Sequence, residues 1–325
     1  MPKRMGSPAA GTMIVAAALF GCATASGTST ALPSSIPIEP PAPSPTPTPP
    51  SELVLIAESD LAWGSELEAW ATQRWWELTL ADPSVAAAYL RESQSHLEAV
   101  VSVQETLGGD LVQTATEGIP VVIVDAPGVD PGPSLSIVGN GRYDQAGFLA
   151  GVMTGLASQS GWVGEVIATG GPHEADYSAG FTQGLLWGCP KCRLVSLTAA
   201  EMSLDGFRRK GVDVVFPIPG PAADEVAEVL GAGGLPMVWV GEGGRPAETR
   251  VGRVIFEADR LVVPALEALM ETGEGKAWHY SIEGRALLLV DINADLLSPG
   301  RQRLLDQAYE AIAAGELDIG IAPEG

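Results

Sequence analysis

The chain has 325 residues, of which 18 are basic and 40 are acidic, so its formal net charge is −22. A surface with this charge repels phosphate backbones, which argues against nucleic acid as a partner. The roughly 270 residues after the first 50 are enough for a large core and, in an α/β chain, indicate two lobes.

The first predicted element is a secretory signal. A basic start (Lys3, Arg4) precedes the apolar run Met13–Phe20, which is too short to span a membrane as a helix. The letters LFGC, which end at Cys22, resemble the lipobox of bacterial lipoproteins, in which the cysteine receives a lipid. We therefore expect residues 1–21 to be a lipoprotein signal peptide. The alternative is an ordinary signal peptide with an incidental cysteine.

The next segment reads as a spacer. Nine prolines lie between Pro33 and Pro50, and such a composition favours extended polyproline geometry and cannot bury a core. Residues 22–52 are therefore predicted to tether the domain of residues 53–325 to the outer face of the cell membrane. No later apolar run approaches 18 residues, so no membrane span is expected downstream.

From Leu53 onward, apolar strands alternate with helical stretches. Repeated strand–helix–strand units with nearly continuous apolar strands predict parallel sheets covered by helices. Residues 76–94 fit neither strand nor helix well. The expected strands are 53–59, 98–103, 120–126, 134–140, 161–169, 193–199, 212–218 and 236–242, and the expected helices are 64–76, 107–117, 144–161, 174–187, 203–210 and 222–230.

The two cysteines that remain after Cys22 are Cys189 and Cys192, in a C-x-x-C spacing. Outside the cytoplasm two leftover thiols usually pair with each other, so a local disulfide is predicted. Free thiols, or a redox or zinc role, are the alternatives. A second C-x-x-C is missing, and the three histidines form no ligand-spaced cluster, so no metal site is expected.

Candidate ligand contacts follow from the predicted sheets, because ligands of open parallel sheets bind beyond the carboxyl ends of the strands. The residues at or just after predicted strand ends are Glu58, Ser59, Asp60, Asp125, Gly220 and Glu242, with Trp63 close to the first three.

Each side chain in this set has a plainer alternative. Asp60 fits the N-cap of the following helix, and Asp125 fits a turn. Trp63 fits simple packing, and Glu242 fits a surface charge. His173, in a loop that could reach the cleft, fits a solvated position.

The second half of the chain resembles the basic membrane protein (BMP) family of bacterial lipoproteins. The similarity lies in YDQAGFLAGVMTGLASQSGWVGEVIATGG, SAGFTQGL and KGVDVVFPIPG, and continues in the tail from RVIFEADR to AIAAGELDI. It implies a type I periplasmic-binding-protein fold with three hinge strands between two lobes. The lobes are expected at about 53–140 plus 250–276, and at 141–249 plus 277–325.

The resemblance also implies a ligand and a partner. Characterised members of the family bind nucleosides, mostly purine nucleosides, and deliver them to membrane transporters. Asp60 matches the acidic residue of the family motif and Trp63 its aromatic residue, while Gly64 replaces an asparagine. Glu242 is a stand-in for one aspartate, and Asp259 lies near the place of the family's lysine.

The expected function is therefore that of a lipid-anchored solute-binding protein for an ABC permease. The alternative is a sensor or surface interaction protein that uses the same fold without transport. Nucleophile-elbow, zinc-protease, P-loop and dinucleotide fingerprints are all missing from the sequence, so neither an enzyme nor a cofactor is expected.

Overall fold

The computed structural model describes residues 51–57, 64–103, 108–126, 128–139, 141–241 and 247–319. The strands, in chain order, are β1 Glu52–Ile56, β2 Glu77–Ala81, β3 Leu97–Ser102, β4 Val121–Val124, β5 Leu135–Gly139, β6 Trp162–Ile167, β7 Arg193–Thr198, β8 Val214–Pro217, β9 Met237–Val240, β10 Arg250–Phe256, β11 Ala277–His279 and β12 Leu287–Val290.

Nine α-helices lie in this described part of the chain. They are α1 Gly64–Gln73, α2 Pro83–Ser93, α3 Gly108–Thr116, α4 Tyr143–Ala157, α5 Glu174–Gly188, α6 Leu204–Lys210, α7 Ala223–Ala232, α8 Asp259–Thr272 and α9 Pro299–Ala313. Within the described ranges, none is both long enough and apolar enough to cross a membrane.

The strands form two six-stranded sheets, one in each lobe. The first sheet has the order β11-β5-β4-β3-β1-β2, and the second has the order β12-β10-β9-β8-β6-β7. All pairs are parallel except the antiparallel pair β10–β12. Helices cover the sheets, which explains why strands such as VVIV (β4) are apolar at every position and fully buried. The predicted α/β class with two parallel sheets is confirmed.

Residues 76–94, which fit neither pattern in the sequence, contain the edge strand β2 and the helix α2. Asp82 accepts a hydrogen bond at 2.8 Å from the backbone N–H of Ser84, and Pro83 occupies the first helical position. This is a regular helix start. The alternation is weak because β2 pairs with β1 alone among the described strands, and its side chains are mostly exposed or half-buried.

The chain crosses between the lobes three times: after β5, after β10 and after β11. The crossings are hydrogen-bonded to their neighbours, since Arg142 N donates to Tyr280 O (2.7 Å) and Glu257 N donates to Ala286 O (2.9 Å). On α4, the buried Gln145 accepts from the backbone N–H of Ile282 and donates to the carboxylate of Glu283. Three crossings agree with the hinge that the family resemblance implies.

The crossing points differ from the expected lobe boundaries. Residues 250–276 were expected in the first lobe, but β10 (Arg250–Phe256) pairs with β9 and β12 in the second sheet. Residues 277–325 were expected in the second lobe, but β11 (Ala277–His279) pairs with β5 in the first sheet. The second lobe therefore contains β10, which was expected in the first lobe, and the first lobe contains β11, which was expected in the second. The reason is that the chain crosses between the lobes after each of these strands and not before it.

Cys189 and Cys192 form a disulfide, with 5.3 Å between their Cα atoms. The bond closes the turn between α5 and the edge strand β7. The sequence predicted a local disulfide here, and the structure contains one. Among the described residues, no group of three or more histidine, cysteine or acidic side chains is arranged to hold a metal ion.

Candidate functional site

A cavity of about 480 Å³ lies between the two lobes. It opens at the carboxyl ends of the parallel strands, the place where ligands of this architecture bind. The first lobe contributes Asp125, Ala126, Ile137, Gly139 and Tyr280, and the second contributes Tyr143, Pro172, His173, Tyr177, Pro219, Gly220 and Phe256.

A carboxylate and a phenol form the polar centre of the first-lobe wall. Asp125 directly follows β4 in the left-handed region (φ 53°), which aspartate tolerates better than most residues. The hydroxyl of Tyr280, just after β11, donates to Asp125 Oδ1 at 3.1 Å. The backbone at Gly139 passes close by, since a Cβ there would lie 3.4 Å from the same oxygen.

The walls of the cleft alter the acidity of both groups. Asp125 is open to the cavity, yet the surrounding protein raises the pKa of its carboxyl by limiting its hydration, while the Tyr280 hydrogen bond opposes this rise. Burial raises the pKa of Tyr280, and the adjacent Asp125 charge adds to the effect. Tyr280 therefore stays a neutral donor to the Asp125 carboxyl, and both residues line the cavity.

Aromatic rings continue from this pair into the second lobe. The rings of Phe256 and Tyr280 are 5.6 Å apart, and those of Phe256 and Tyr143 are 5.7 Å apart. Tyr143 in turn lies 5.4 Å from Tyr177 and stacks on His173 at 3.9 Å, with 18° between the planes. The cavity is thus bordered by five rings, a surface suited to a flat or apolar part of a ligand.

The close packing of α4 on α5 positions Tyr143 and Tyr177. Glycines recur every four residues on both helices: Gly147, Gly151 and Gly155 on α4, and Gly180, Gly184 and Gly188 on α5. A Cβ at Gly151 would lie 2.2 Å from Phe181 O, and one at Gly180 would lie 2.0 Å from Asp144 O. Only glycine permits this approach, and it brings the first turns of the two helices together at the cleft.

His173 begins α5 and borders the cavity mouth. It adopts the left-handed conformation (φ 62°), and its Nδ1 lies 3.4 Å from Asp176 Oδ2 on the first turn of the helix. Its ring also stacks on Tyr143. The sequence predicted a solvated loop position for His173; the residue is solvent-exposed, and it also lines the cavity.

Two loops of the second lobe meet at the floor of the cavity. A Cβ at Gly171, after β6, would lie 2.7 Å from Pro219 O, and one at Gly220 would lie 3.0 Å from Ala168 Cβ. Glycine at both positions lets the loops after β6 and β8 touch. Pro172 from the first loop and both Pro219 and Gly220 from the second line the cavity.

The structure places two of the predicted contacts at the cavity: Asp125 and Gly220 both line it. Their contact with a ligand stays a prediction. The other five, Glu58, Ser59, Asp60, Trp63 and Glu242, lie outside the described residues, as does the predicted lipidation site Cys22.

The aromatic lining was missed by the sequence reasoning. Tyr143 is the first residue of the YDQAGFLAG motif and directly follows the first crossing between the lobes. An aromatic residue at that position could have been predicted from the sequence to face the cleft. Phe256 and Tyr280 lie at the other two crossings, and only the topology shows that they face the same cavity. Ring clusters at hinge crossings have no local spacing by which to recognise them.

Comparison with known proteins supports the fold directly. A solute-binding protein of an ABC transporter system from Conexibacter woesei superposes with a TM-score of 0.62 at 17% identity, covering 84% of this chain and 98% of that one. A solute-binding protein from Aeropyrum pernix gives 0.55 at 14% identity, covering 85% and 94%. A transcriptional activator of the comK gene from Bacillus halodurans gives 0.58 at 13% identity, covering 82% and 98%.

In sequence, the chain is similar to Basic membrane protein C of Borreliella burgdorferi, with 31% identity over 97 residues. The match spans 27% of this chain and 28% of that relative. No family profile matches the chain. The fold is that of the two-lobed type I periplasmic binding proteins, and the sequence resembles the basic membrane proteins.

Proposed function

We propose that the protein is an extracytoplasmic, lipid-anchored solute-binding protein that captures a small polar ligand between its two lobes for an ABC transporter. One observation carries the proposal: described residues of both lobes line the same cavity, at the carboxyl ends of both sheets, where three crossings join them. A ligand that contacts both walls favours the closed arrangement of the lobes, because closure adds contacts that the open form lacks.

The ligand class we propose is a purine nucleoside. The resemblance to the basic membrane proteins is the reason for choosing it, and the chemistry of the cavity is compatible with it. A base can stack on Tyr143 or its neighbours, and a ribose hydroxyl can donate to the Asp125 carboxylate. Charge-assisted hydrogen bonds of this kind are stronger than those between neutral groups. Among the residues that the structure describes, the cavity lining includes no lysine or arginine to hold a phosphate.

Calorimetric titration of adenosine, guanosine and inosine into the delipidated protein tests this ligand class. We expect a Kd below about 100 µM, which corresponds to only about −5.5 kcal/mol. Stacking is worth roughly 1–3 kcal/mol per base, so Tyr143→Leu should weaken binding by about one to two factors of ten. The same loss is expected for Trp63→Ala if that residue reaches the base.

Tyr309→Phe is the matched control for Tyr143→Leu. Tyr309 is a buried tyrosine of the second lobe whose hydroxyl donates to Leu287 O at 2.8 Å, and it is not among the cavity-lining residues. Its variant should bind like the wild type. If none of the three nucleosides gives a heat of binding, in protein that is shown to unfold cooperatively, nucleosides are excluded as the ligand class. The solute-binding role would then be tested with other small molecules.

A second candidate function is ligand sensing without transport. The similarity in fold to a transcriptional activator favours it, since the same two-lobed architecture there belongs to a protein named for regulation. Co-purification separates the two functions. A transporter component should be captured with an ABC permease from detergent-solubilised membranes, and a sensor with a signalling protein.

A further inference from the structure

Trp75 stands out on the first lobe because it is both strained and exposed. Its φ of 62° lies in the left-handed region, which is uncommon for a bulky residue, and its exposed fraction is 91%, the highest among the large hydrophobic residues that the structure describes as exposed. The side chain therefore gains almost nothing from packing in this structure.

The backbone around Trp75 explains the strain. Trp75 N donates to Thr72 O and Trp76 N donates to Ala71 O, both at 3.1 Å, which is the Schellman arrangement at the end of α1. Trp75 occupies the left-handed position of this motif, where glycine is the usual residue. Glycine would satisfy the helix end without strain, so the tryptophan is not explained by the stability of the fold.

The location of Trp75 indicates what covers it. Two residues downstream, Glu77 N donates to Ser51 O at 3.0 Å, and Glu77 is in register with Glu52 at the start of β1. Ser51 directly follows the proline-rich segment that ends at Pro50. Trp75 therefore lies at the corner where the chain leads back towards the predicted anchor at Cys22.

This corner is on the side of the first sheet away from the cleft. Trp75 precedes β2, so it lies near the amino ends of the parallel strands β1 and β2, whereas the cavity lies at the carboxyl ends. A contact here leaves the cleft free for a ligand.

We propose that Trp75 is a membrane contact, which inserts into the interfacial region of the phospholipid bilayer and orients the anchored protein. The inference rests on the proposed lipid anchor. Tryptophan is enriched at membrane interfaces, where its ring meets the apolar boundary and its N–H meets water. The anchor and the 29 residues from Cys22 to Pro50 tether this corner to the bilayer, which raises the effective concentration of the membrane surface at Trp75.

Fluorescence quenching by brominated phospholipids tests this contact. The lipidated full-length product is reconstituted into phosphatidylcholine vesicles with and without brominated acyl chains. We expect the wild type to show partial quenching of its tryptophan emission, and Trp75→Gly to lose that component. Trp75→Gly should unfold at the same temperature as the wild type or higher, because glycine suits the left-handed position.

Trp187→Ala is the matched control, since Trp187 is 38% exposed but belongs to α5 in the second lobe. It should retain the Trp75-dependent quenching. Two failures are distinguishable by flotation. Protein that floats with the vesicles but is quenched equally in wild type and Trp75→Gly contradicts the membrane contact alone. Protein that does not float contradicts the anchor, and the contact falls with it.

Discussion

Gly184 on α5 faces the backbone of Phe148 on α4 so closely that a Cβ at Gly184 would lie 1.9 Å from Phe148 O. Helices normally pack with side chains between them, at 8–10 Å between axes. Here the backbones themselves touch along glycine positions of both helices. The glycine pattern of α4 and α5 therefore affects the site, because the close helix contact determines the positions of Tyr143 and Tyr177 in the cavity wall.

Gly184→Ala should therefore destabilise the protein by about 1–3 kcal/mol, as overpacking does in a close contact. It should also weaken ligand binding, since the first turns of α4 and α5 would separate. Gly109→Ala in α3 is the matched control, because a Cβ there meets nothing within 4 Å. The control should gain stability by roughly 0.5–1 kcal/mol. Urea unfolding checks both; equal behaviour of the two variants would refute the packing argument.

Asp125→Asn should change stability in a pH-dependent way. The pKa of Asp125 is raised by its surroundings from the ordinary 3.8, so the folded state holds this proton more tightly than the unfolded state. Its favourable contribution is present below the unfolded pKa and is lost as pH rises through the folded pKa. At pH 7 the asparagine variant should be more stable, by less than about 1 kcal/mol, because solvent reaches this carboxyl.

Thermal unfolding at pH 7 and near pH 4 measures this difference. The gap between Asp125→Asn and wild type should narrow as the pH falls towards 3.8. All other ionisable residues are the same in both proteins, so they do not confound the comparison. A gap that is constant with pH, or a less stable variant at pH 7, would show that the Asp125 environment does not disfavour its charge.

The disulfide predicts a labelling result. Alkylation of the exported protein, unfolded without reductant, should leave Cys189 and Cys192 unmodified, and reduction first should label both. Because the closed loop is so short, Cys189→Ser with Cys192→Ser should lower stability only modestly by the chain-entropy argument. Labelling of both cysteines without reductant would contradict the bond.

Cys22→Ser should release the protein from the membrane fraction, because two acyl chains supply stable anchoring where one does not. The expected readout is loss of the lipid mass by mass spectrometry of the intact protein. Ala23→Ser, next to it, is the control and should keep both lipid and membrane location. A Cys22→Ser variant that stays in the membrane fraction and carries the same lipid mass as the wild type would refute the lipobox assignment.

Much of the fold could be predicted from the sequence, because the patterns that indicate it lie within short segments of the chain. Buried parallel strands such as β4 and β8 are short, wholly apolar runs, and each is followed by a helical stretch, so the alternation itself indicated the α/β class. The edge strand β2 was ambiguous because one of its sides has no partner among the described strands, and its residues need not be apolar.

The site was only partly readable. Asp125 and Gly220 were found because they follow buried strands, which is a local rule. Phe256 and Tyr280 reach the cavity because the chain crosses after β10 and after β11, a difference of a few residues that the expected boundaries misplaced. Which strand belongs to which lobe depends on pairing between distant segments, and no local pattern encodes it.

The most direct test of the central claim, that the cleft holds a small solute, is native mass spectrometry of protein purified from its own cells without dialysis. The account predicts one non-covalent small molecule per chain, released on unfolding, and its loss or strong depletion in the double variant Tyr143→Leu with Asp125→Asn. The released molecule identifies the ligand. A bare chain in the wild type, or a bound molecule retained equally by the double variant, would contradict the assignment of this cavity as the binding site.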